Sequence, residues 1–346
     1  MSTVKEITIE KFLADTERPV LLDVRTPAEY GQGHIPGSKN LPLFSNEERA
    51  EVGTLYKQIS PEKAYLRGLD LAGAKLSWYL REAYRLAPGK RAAVHCWRGG
   101  KRSASLGALL EFSGFEVSVL VGGYKAYRHF VLDVFEKTPA CFVVLGGKTG
   151  SGKTEILQRL AAQGEQVLDL EKLARHKGSA FGALGELPQP TSEQFENNLY
   201  QDFSKLTPHR RIWVENESRS IGKVFVPQGI WNKMRTAPLV QVELPFQHRV
   251  ERLIADYAHF PKEELEESLR KIEKRMGGQH MKAALEAFQN GDIATSTGIA
   301  LEYYDKSYTH ATAKGHFSKS ILLKPHELDC EKIASELIHI ANDNGL

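Results

Sequence analysis

Two stretches of this chain carry residue types and spacings suited to chemistry. The first is Val94-His95-Cys96-Trp97-Arg98-Gly99-Gly100-Lys101-Arg102-Ser103, an apolar strand end that runs into a basic, glycine-rich turn. Gly99 and Gly100 permit a tight loop with inward amides, and residues 103 to 112 have the apolar spacing of a helix. Backbone N–H groups, a helix N-terminus and three cations (Arg98, Lys101, Arg102) are thereby expected to converge on Cys96 and lower its pKa. A buried structural cysteine is the plain alternative, but such a residue rarely has so much positive charge around it. The second stretch is Gly147-Lys148-Thr149-Gly150-Ser151-Gly152-Lys153-Thr154, which reads G-x-x-x-x-G-K-[ST]. Its glycines let backbone amides wrap a diphosphate, Lys153 neutralises the outer oxygens, and Thr154 can hold a magnesium ion.

Both loops need strands to aim them. An apolar run at 141 to 145 precedes the phosphate loop, and the amphipathic stretch 155 to 161 follows it. Further strands are expected at 166 to 170, 211 to 215, 239 to 244 and 320 to 323, separated by helical stretches, which implies a parallel sheet with crossover helices. The strand at 211 to 215 ends in Glu215, where ordinary nucleotidases carry Asp, and Glu217 stands two residues on. These glutamates could orient magnesium through water or pair structurally with Arg219. Arg249 and Arg252, on a helix beginning near Phe246, resemble phosphate-clamping arginines of small-molecule kinases. Residues 261 to 277 read as one charged helix, acidic early and basic late as the helix dipole prefers, with most of its charges solvated. His280, Tyr303, Tyr304 and Tyr308 could stack on bases, although packing is the favoured expectation.

In the N-terminal part, Pro19-Val20-Leu21-Leu22-Asp23-Val24-Arg25 is a continuous apolar strand ending in charge, typical of a parallel sheet covered on both faces. Thr26, Pro27 and Glu29 then open a helix with a capping box. These blocks, with Gly33-His34-Ile35-Pro36-Gly37-Ser38, Asn40-Leu41-Pro42 and the strand-borne Cys96 loop, resemble the rhodanese family. That resemblance implies transferable sulfur or selenium on Cys96, as a persulfide or perselenide, and a mainly structural role for Asp23 and Arg25. Five residues separate Cys96 from Arg102, one more than in many single-domain sulfurtransferases and the spacing of dual-specificity phosphatases on the same fold. A wider loop suits a larger tetrahedral anion or a larger atom. Residues 43 to 90 are expected to be a helical insertion, whose Arg49, Lys57, Lys63, Arg67, Lys75, Arg81 and Arg85 form either a solvated face or a contact surface for a polyanion.

The chain has 346 residues, too many for one typical core, so two domains are expected, at 1–138 and 139–346 with Thr138-Pro139 as the linker. Hydrophobic residues at 41% and charged residues at 26% describe an ordinary globular composition. No run of about 18 apolar residues occurs, and Met1-Ser2-Thr3-Val4-Lys5-Glu6 lacks a signal peptide's apolar stretch, so no membrane association and a cytoplasmic location are expected. Cys96, Cys141 and Cys330 are too few and too scattered for a disulfide framework or a thiolate zinc site. A net charge of +3 permits an anionic partner without requiring one.

Taken whole, an N-terminal rhodanese-like α/β domain fused to a C-terminal P-loop NTPase-like α/β domain resembles the bacterial tRNA 2-selenouridine synthase family. The second-domain likeness rests on Gly146 through Thr154 and on Val214-Glu215-Asn216-Glu217-Ser218-Arg219-Ser220-Ile221-Gly222. It implies a transferase that replaces the 2-sulfur of a wobble 2-thiouridine in tRNA by selenium from selenophosphate, with geranyl diphosphate as a further substrate and an S-geranyl intermediate. It also implies a selenophosphate-supplying enzyme as partner, no tightly bound cofactor, and magnesium at Thr154. Two other classes stay open. A rhodanese-fold phosphatase would use the Cys-x5-Arg loop, and an ATP-dependent sulfur carrier would use the P-loop.

Overall fold

The computed structural model describes residues 4–313 and 316–346; Met1, Ser2 and Thr3, the start of the N-terminal stretch considered above, lie outside the described residues. The chain forms two compact units, Met1–Val134 and Phe135–Leu346. The boundary thus falls slightly before Thr138-Pro139, because Phe135 already sets its ring 6.1 Å from that of Phe203 in the second unit.

The first unit runs β1 (Lys5–Ile7), α1 (Ile9–Ala14), β2 (Val20–Asp23), α2 (Pro27–Gln32), β3 (Lys39–Asn40), α3 (Asn46–Gln58), α4 (Pro61–Gly73), α5 (Leu76–Leu86), β4 (Arg91–His95), α6 (Lys101–Phe112), β5 (Glu116–Leu120) and α7 (Gly123–Lys137). Its five strands are all parallel, in the order β1-β5-β4-β2-β3. The apolar runs of β2 and β4 are buried, with Leu22 and Val94 in one core beside Leu106 and Leu110 of α6. Thr26 caps α2 through the expected capping box with Glu29.

The insertion is three helices. The helical insertion breaks between α4 and α5, where Lys75 turns its ammonium onto Glu48 of α3. Tyr79 anchors α5 by donating to the Leu43 carbonyl at 2.6 Å. Arg67 pairs with Glu51 and Arg85 with Glu82, each at 2.6 Å, so several of the insertion's cations are engaged within it.

The second unit runs β6 (Cys141–Gly147), α8 (Lys153–Ala162), β7 (Gln166–Leu168), α9 (Leu170–Ala174), α10 (Ser192–Phe203), β8 (Arg211–Glu215), β9 (Ser220–Ile221), β10 (Val224–Phe225), α11 (Gln228–Thr236), β11 (Leu239–Val242), α12 (Phe246–Tyr257), α13 (Lys262–Arg270), α14 (Glu273–Met276), α15 (Gly278–Gln289), α16 (Ile293–Ala313), β12 (Ser320–Leu323) and α17 (Cys330–Asp343). Its main sheet is parallel, in the order β12-β11-β6-β8-β7, and places the phosphate-loop strand β6 at the centre. The strand expected at 166 to 170 is shorter, since Asp169 leaves it to cap α9 by accepting from the Lys172 amide at 2.8 Å. The single helix expected at 261 to 277 divides into α13 and α14, and Leu265, Leu269, Ile272 and Met276 give it a buried stripe along with its solvated charges.

Candidate active site: a thiolate loop and a phosphate loop

Cys96 follows the end of β4, between β2 and β5, and is 4% exposed. The chain then turns through Gly99 at φ 65, where a Cβ would lie 2.7 Å from the Leu120 carbonyl oxygen, so only glycine fits without displacement. Gly100 is the N-cap of α6 and donates its amide to Cys96 Sγ at 3.2 Å. Ser103, in the first turn of α6, adds its hydroxyl at 3.3 Å. Burial works against the thiolate, yet the Ser103 hydroxyl and the amides of Ser103, Arg98 and Gly100 outweigh it and hold the thiol below its ordinary range.

The loop cations contribute less than their number implies. Arg102 spends both terminal nitrogens on Glu29, at 2.7 and 3.2 Å. Lys101 sits 4.4 Å from the Tyr65 ring centroid, and Arg98 is exposed, as is Trp97 at 37%. Hydrogen bonds from the backbone and one hydroxyl therefore form the cradle, with the cations around its rim.

Beneath the loop lies a wholly buried polar platform. Arg25 pairs with Asp23 at 2.6 Å, donates to the Gly33 carbonyl at 2.7 Å and stacks 3.8 Å from the Tyr124 ring centroid. Burial opposes the Asp23 charge, but the surrounding positive and hydrogen-bonding groups, Arg25 foremost among the donors, hold its carboxyl low. Burial also holds His95 below its usual pKa, against the pull of the Asp23 carboxylate. The hydrogen bonds of the Asp23 and Arg25 side chains run to each other, to the Arg25 amide and to the Gly33 carbonyl.

The phosphate loop connects β6 to α8. Gly152 caps α8 with no side-chain hydrogen bond, which leaves first-turn amides open to a ligand. Ser151 Oγ is buried without a partner in the same loop, an orphan suited to a phosphate oxygen. Gly150, at φ 82, brings the loop so close to Arg249 that a Cβ would lie 2.9 Å from its carbonyl oxygen. Lys153 Nζ donates to the Gly147 carbonyl at 3.0 Å, and although burial disfavours its charge, Glu171 and Glu217 keep it firmly protonated. Lys148 approaches Asp305 at 3.7 Å, and Thr149 accepts from Arg249 at 3.2 Å through its carbonyl.

Thr154 donates its hydroxyl to Glu171 at 2.9 Å, a contact the sequence did not announce. The only hint of it was an acid shortly after the second strand. Glu215 is fully buried; one oxygen accepts from the Leu170 amide at 3.1 Å and the other has no partner. Burial and repulsion from neighbouring carboxylates raise Glu215 well above its ordinary pKa, and burial with Glu171 pushes Glu217 up to about 8. Among the described residues neither glutamate pairs with Arg219, and no group of three or more His, Cys, Asp or Glu is arranged as a ready metal cage. Crowded oxygen donors beside Thr154 nonetheless fit a hard divalent cation that takes its remaining ligands from phosphate and water.

Arg249 and Arg252 take different roles. Arg249 is buried, bound to both Asp305 oxygens at 2.8 and 2.7 Å, so it braces the loop from behind. Arg252 pairs with Glu155 at 2.9 Å and lines the wide pocket over the loop, together with Lys177, Arg219, Arg235 and Arg275. Tyr308 also reaches the loop, its hydroxyl accepting from the Gly147 amide at 2.7 Å and the Asn216 side chain at 3.2 Å. Tyr304 accepts from the Ala180 amide at 3.0 Å, whereas His280 is exposed.

Fold and loops together define a rhodanese-like domain joined to a P-loop α/β domain. Residues 8–129 match the rhodanese-like domain family, and residues 140–337 match the family described as the tRNA 2-selenouridine synthase AAA domain. The tRNA 2-selenouridine synthase of Pseudomonas fluorescens is 37% identical over 337 residues, covering 86% of this chain and 89% of that protein. That of Pseudomonas entomophila is 35% identical, covering 84% and 86%. That of Nitrosomonas eutropha is 39% identical over 71% of this chain, and the chain spans 64% of that relative's length. The chain belongs to the tRNA 2-selenouridine synthase family. No helix among the described residues is long and apolar enough to cross a membrane.

Proposed function

We propose that the chain converts a 2-thiouridine of tRNA to 2-selenouridine in two stages, S-geranylation at the phosphate loop and selenium delivery at Cys96. The observation that carries this is the presence, on one chain of this family, of a buried cysteine sulfur cradled by hydrogen-bond donors and a phosphate loop with no side-chain cap. Sulfide is a poor leaving group, so direct displacement of a thiocarbonyl sulfur is slow. In the first stage the thiouridine sulfur attacks C1 of geranyl diphosphate, the C–S bond forms, and the C–O electron pair departs with pyrophosphate. The open amides at the start of α8 and the Lys153 ammonium stabilise that charge. Magnesium, when bound beside Thr154 and Glu171, supplies further neutralisation of the diphosphate.

In the second stage the Cys96 loop takes selenophosphate, a tetrahedral anion. Delivery from selenophosphate balances without an added oxidant, whereas a perselenide on Cys96 needs one. Cys96 Sγ attacks phosphorus and the P–Se bond breaks with its electrons on selenium. Selenide adds to C2 of the base, geranylthiolate leaves with the C–S pair, and water frees phosphate from Cys96. An enzyme that makes selenophosphate is the partner this route calls for.

Nucleoside mass spectrometry of tRNA incubated with the chain, magnesium, geranyl diphosphate and selenophosphate tests the proposal. Cys96→Ser is expected to accumulate geranylated tRNA without selenouridine, and Lys153→Ala to block geranylation. Selenation that survives Cys96→Ser would refute the delivery role, and normal geranylation by Lys153→Ala would move the diphosphate elsewhere.

A further inference from the structure

Beside the phosphate loop the second unit holds an apolar cavity that neither the diphosphate nor magnesium uses. It lies among α12, α13, α15 and α16, where two small cores meet, one containing Leu269, Met281 and Ala300 and the other Leu184, Leu265 and Phe288. The space open within it is about 80 Å³. Thr149 of the phosphate loop lines both this cavity and the wide cationic pocket, as do Leu253, Tyr257 and Tyr304. The two spaces therefore share a wall at the loop, the charged one lined by the loop residues from Thr149 to Thr154 and the apolar one reaching Thr149 alone among them.

The lining chemistry limits the occupant. Hydroxyl groups are the sole polar side-chain groups on the cavity wall among the described residues, and Tyr304 already uses its hydroxyl on the Ala180 amide. No amide, carboxylate or cationic side chain lines it. A nucleobase placed there would leave its ring donors and acceptors largely unpaired, at the cost of their lost hydration. A branched hydrocarbon loses nothing and gains the burial of each carbon. Leu269 and Phe288 line the cavity but not the charged pocket, and they are 3% and 7% exposed, which places them on the inner wall.

We infer that this cavity receives the hydrocarbon chain of a prenyl diphosphate whose diphosphate lies in the phosphate loop, and that Leu269 and Phe288 limit the chain length accepted. The inference rests on the geranylation stage proposed above.

Titration calorimetry on the full chain with magnesium tests it, using inorganic pyrophosphate, geranyl diphosphate, farnesyl diphosphate and ATP as probes. Geranyl diphosphate is expected to bind at least about tenfold more tightly than pyrophosphate, by burial of its chain. Leu269→Trp, which fills the cavity, should remove that advantage while pyrophosphate affinity, the check on folding, stays within about twofold. Phe288→Ala, which deepens the cavity, should shift preference toward farnesyl diphosphate by about tenfold, and it decides the matter if Leu269→Trp fails to fold. Equal wild-type affinity for pyrophosphate and geranyl diphosphate, or a folded Leu269→Trp that keeps the geranyl advantage, overturns the cavity assignment and leaves the diphosphate site standing. ATP binding more tightly than geranyl diphosphate overturns it in favour of a nucleotide. If no diphosphate binds, the geranylation stage falls together with the cavity.

Discussion

Replacing Ser103 by Ala isolates the cause of the lowered Cys96 pKa. Ser103 is fully buried, with its hydroxyl 3.3 Å from Cys96 Sγ and 3.0 Å from the Gly100 carbonyl oxygen. A hydroxyl has one proton, so it donates to the thiolate when Cys96 is charged and can turn to the Gly100 carbonyl when Cys96 is neutral. Hydrogen bonds to charged groups are worth about 1.5–3 kcal/mol. The alternative acceptor offsets part of this, and at about 1.4 kcal/mol per pKa unit the expected rise for Ser103→Ala is about one unit. The sign is clear, since removing a donor to the charged form raises the pKa and the thiolate is lost at a higher pH on acidification. Ultraviolet thiolate absorbance against pH measures the shift, in a Cys141→Ser background because Cys141 is exposed. Cys330 stays out of the way, pushed up to about 11 by burial and Glu155. Arg98→Ala and Lys101→Ala, whose cations face solvent or Tyr65, should each shift Cys96 by less than about 0.3 units, because exposed charges are screened. An unchanged pKa in Ser103→Ala, with shifts of a full unit in the two cation variants, would refute the hydrogen-bonded cradle.

Three further outcomes follow from the geometry. Arg249→Ala leaves Asp305 with Lys148 at 3.7 Å as its remaining cation and frees the Thr149 carbonyl, so urea unfolding of the second unit should show a loss of about 3 kcal/mol, the lower end for a broken buried pair because Asp305 keeps that partner and 19% exposure; a loss under about 1 kcal/mol would show that the pair is dispensable. His95 is depressed by burial in the folded state, so the unfolded chain binds a proton that the native one refuses, and stability should fall as pH drops below about 6.5. His95→Asn should flatten that slope in urea midpoints measured across the acid range, and an unchanged slope would assign it to other groups. Gly99→Ala, strained at φ 65 and against the Leu120 carbonyl, should destabilise the first unit by more than about 1 kcal/mol, and a stability equal to wild type would show that the loop can relax.

Much of the fold was legible because it is local. The capping box of Thr26 and Glu29, the glycine spacing of both loops and the apolar runs of β2, β4, β6 and β8 are properties of neighbouring residues. The breaks inside the insertion and between α13 and α14 were not, since helical periodicity continues across Ala74-Lys75 and Lys271-Ile272. The small strands β9 and β10 are too short to carry a period at all.

Around the sites the division is the same. Cys96 and Lys153 were evident as types set in motifs, because a glycine turn between a strand and a helix makes an anion site wherever it occurs. Arg102 counted from sequence as a cation for the thiolate, yet Glu29, 73 residues away in the chain, claims it. Arg249 looked like a phosphate clamp until Asp305 was found across from it, and Glu171 and Tyr308 had no reason to be linked to Thr154 and Gly147. By itself the sequence determined which loops carry the glycines and charges of an anion cradle, since amides and charges one or two residues apart act at short range. Only the tertiary structure decided which charges are spent on each other, and that an apolar cavity lies beside the phosphate loop, because charge pairing and cavity shape depend on residues brought together by the packing of distant helices.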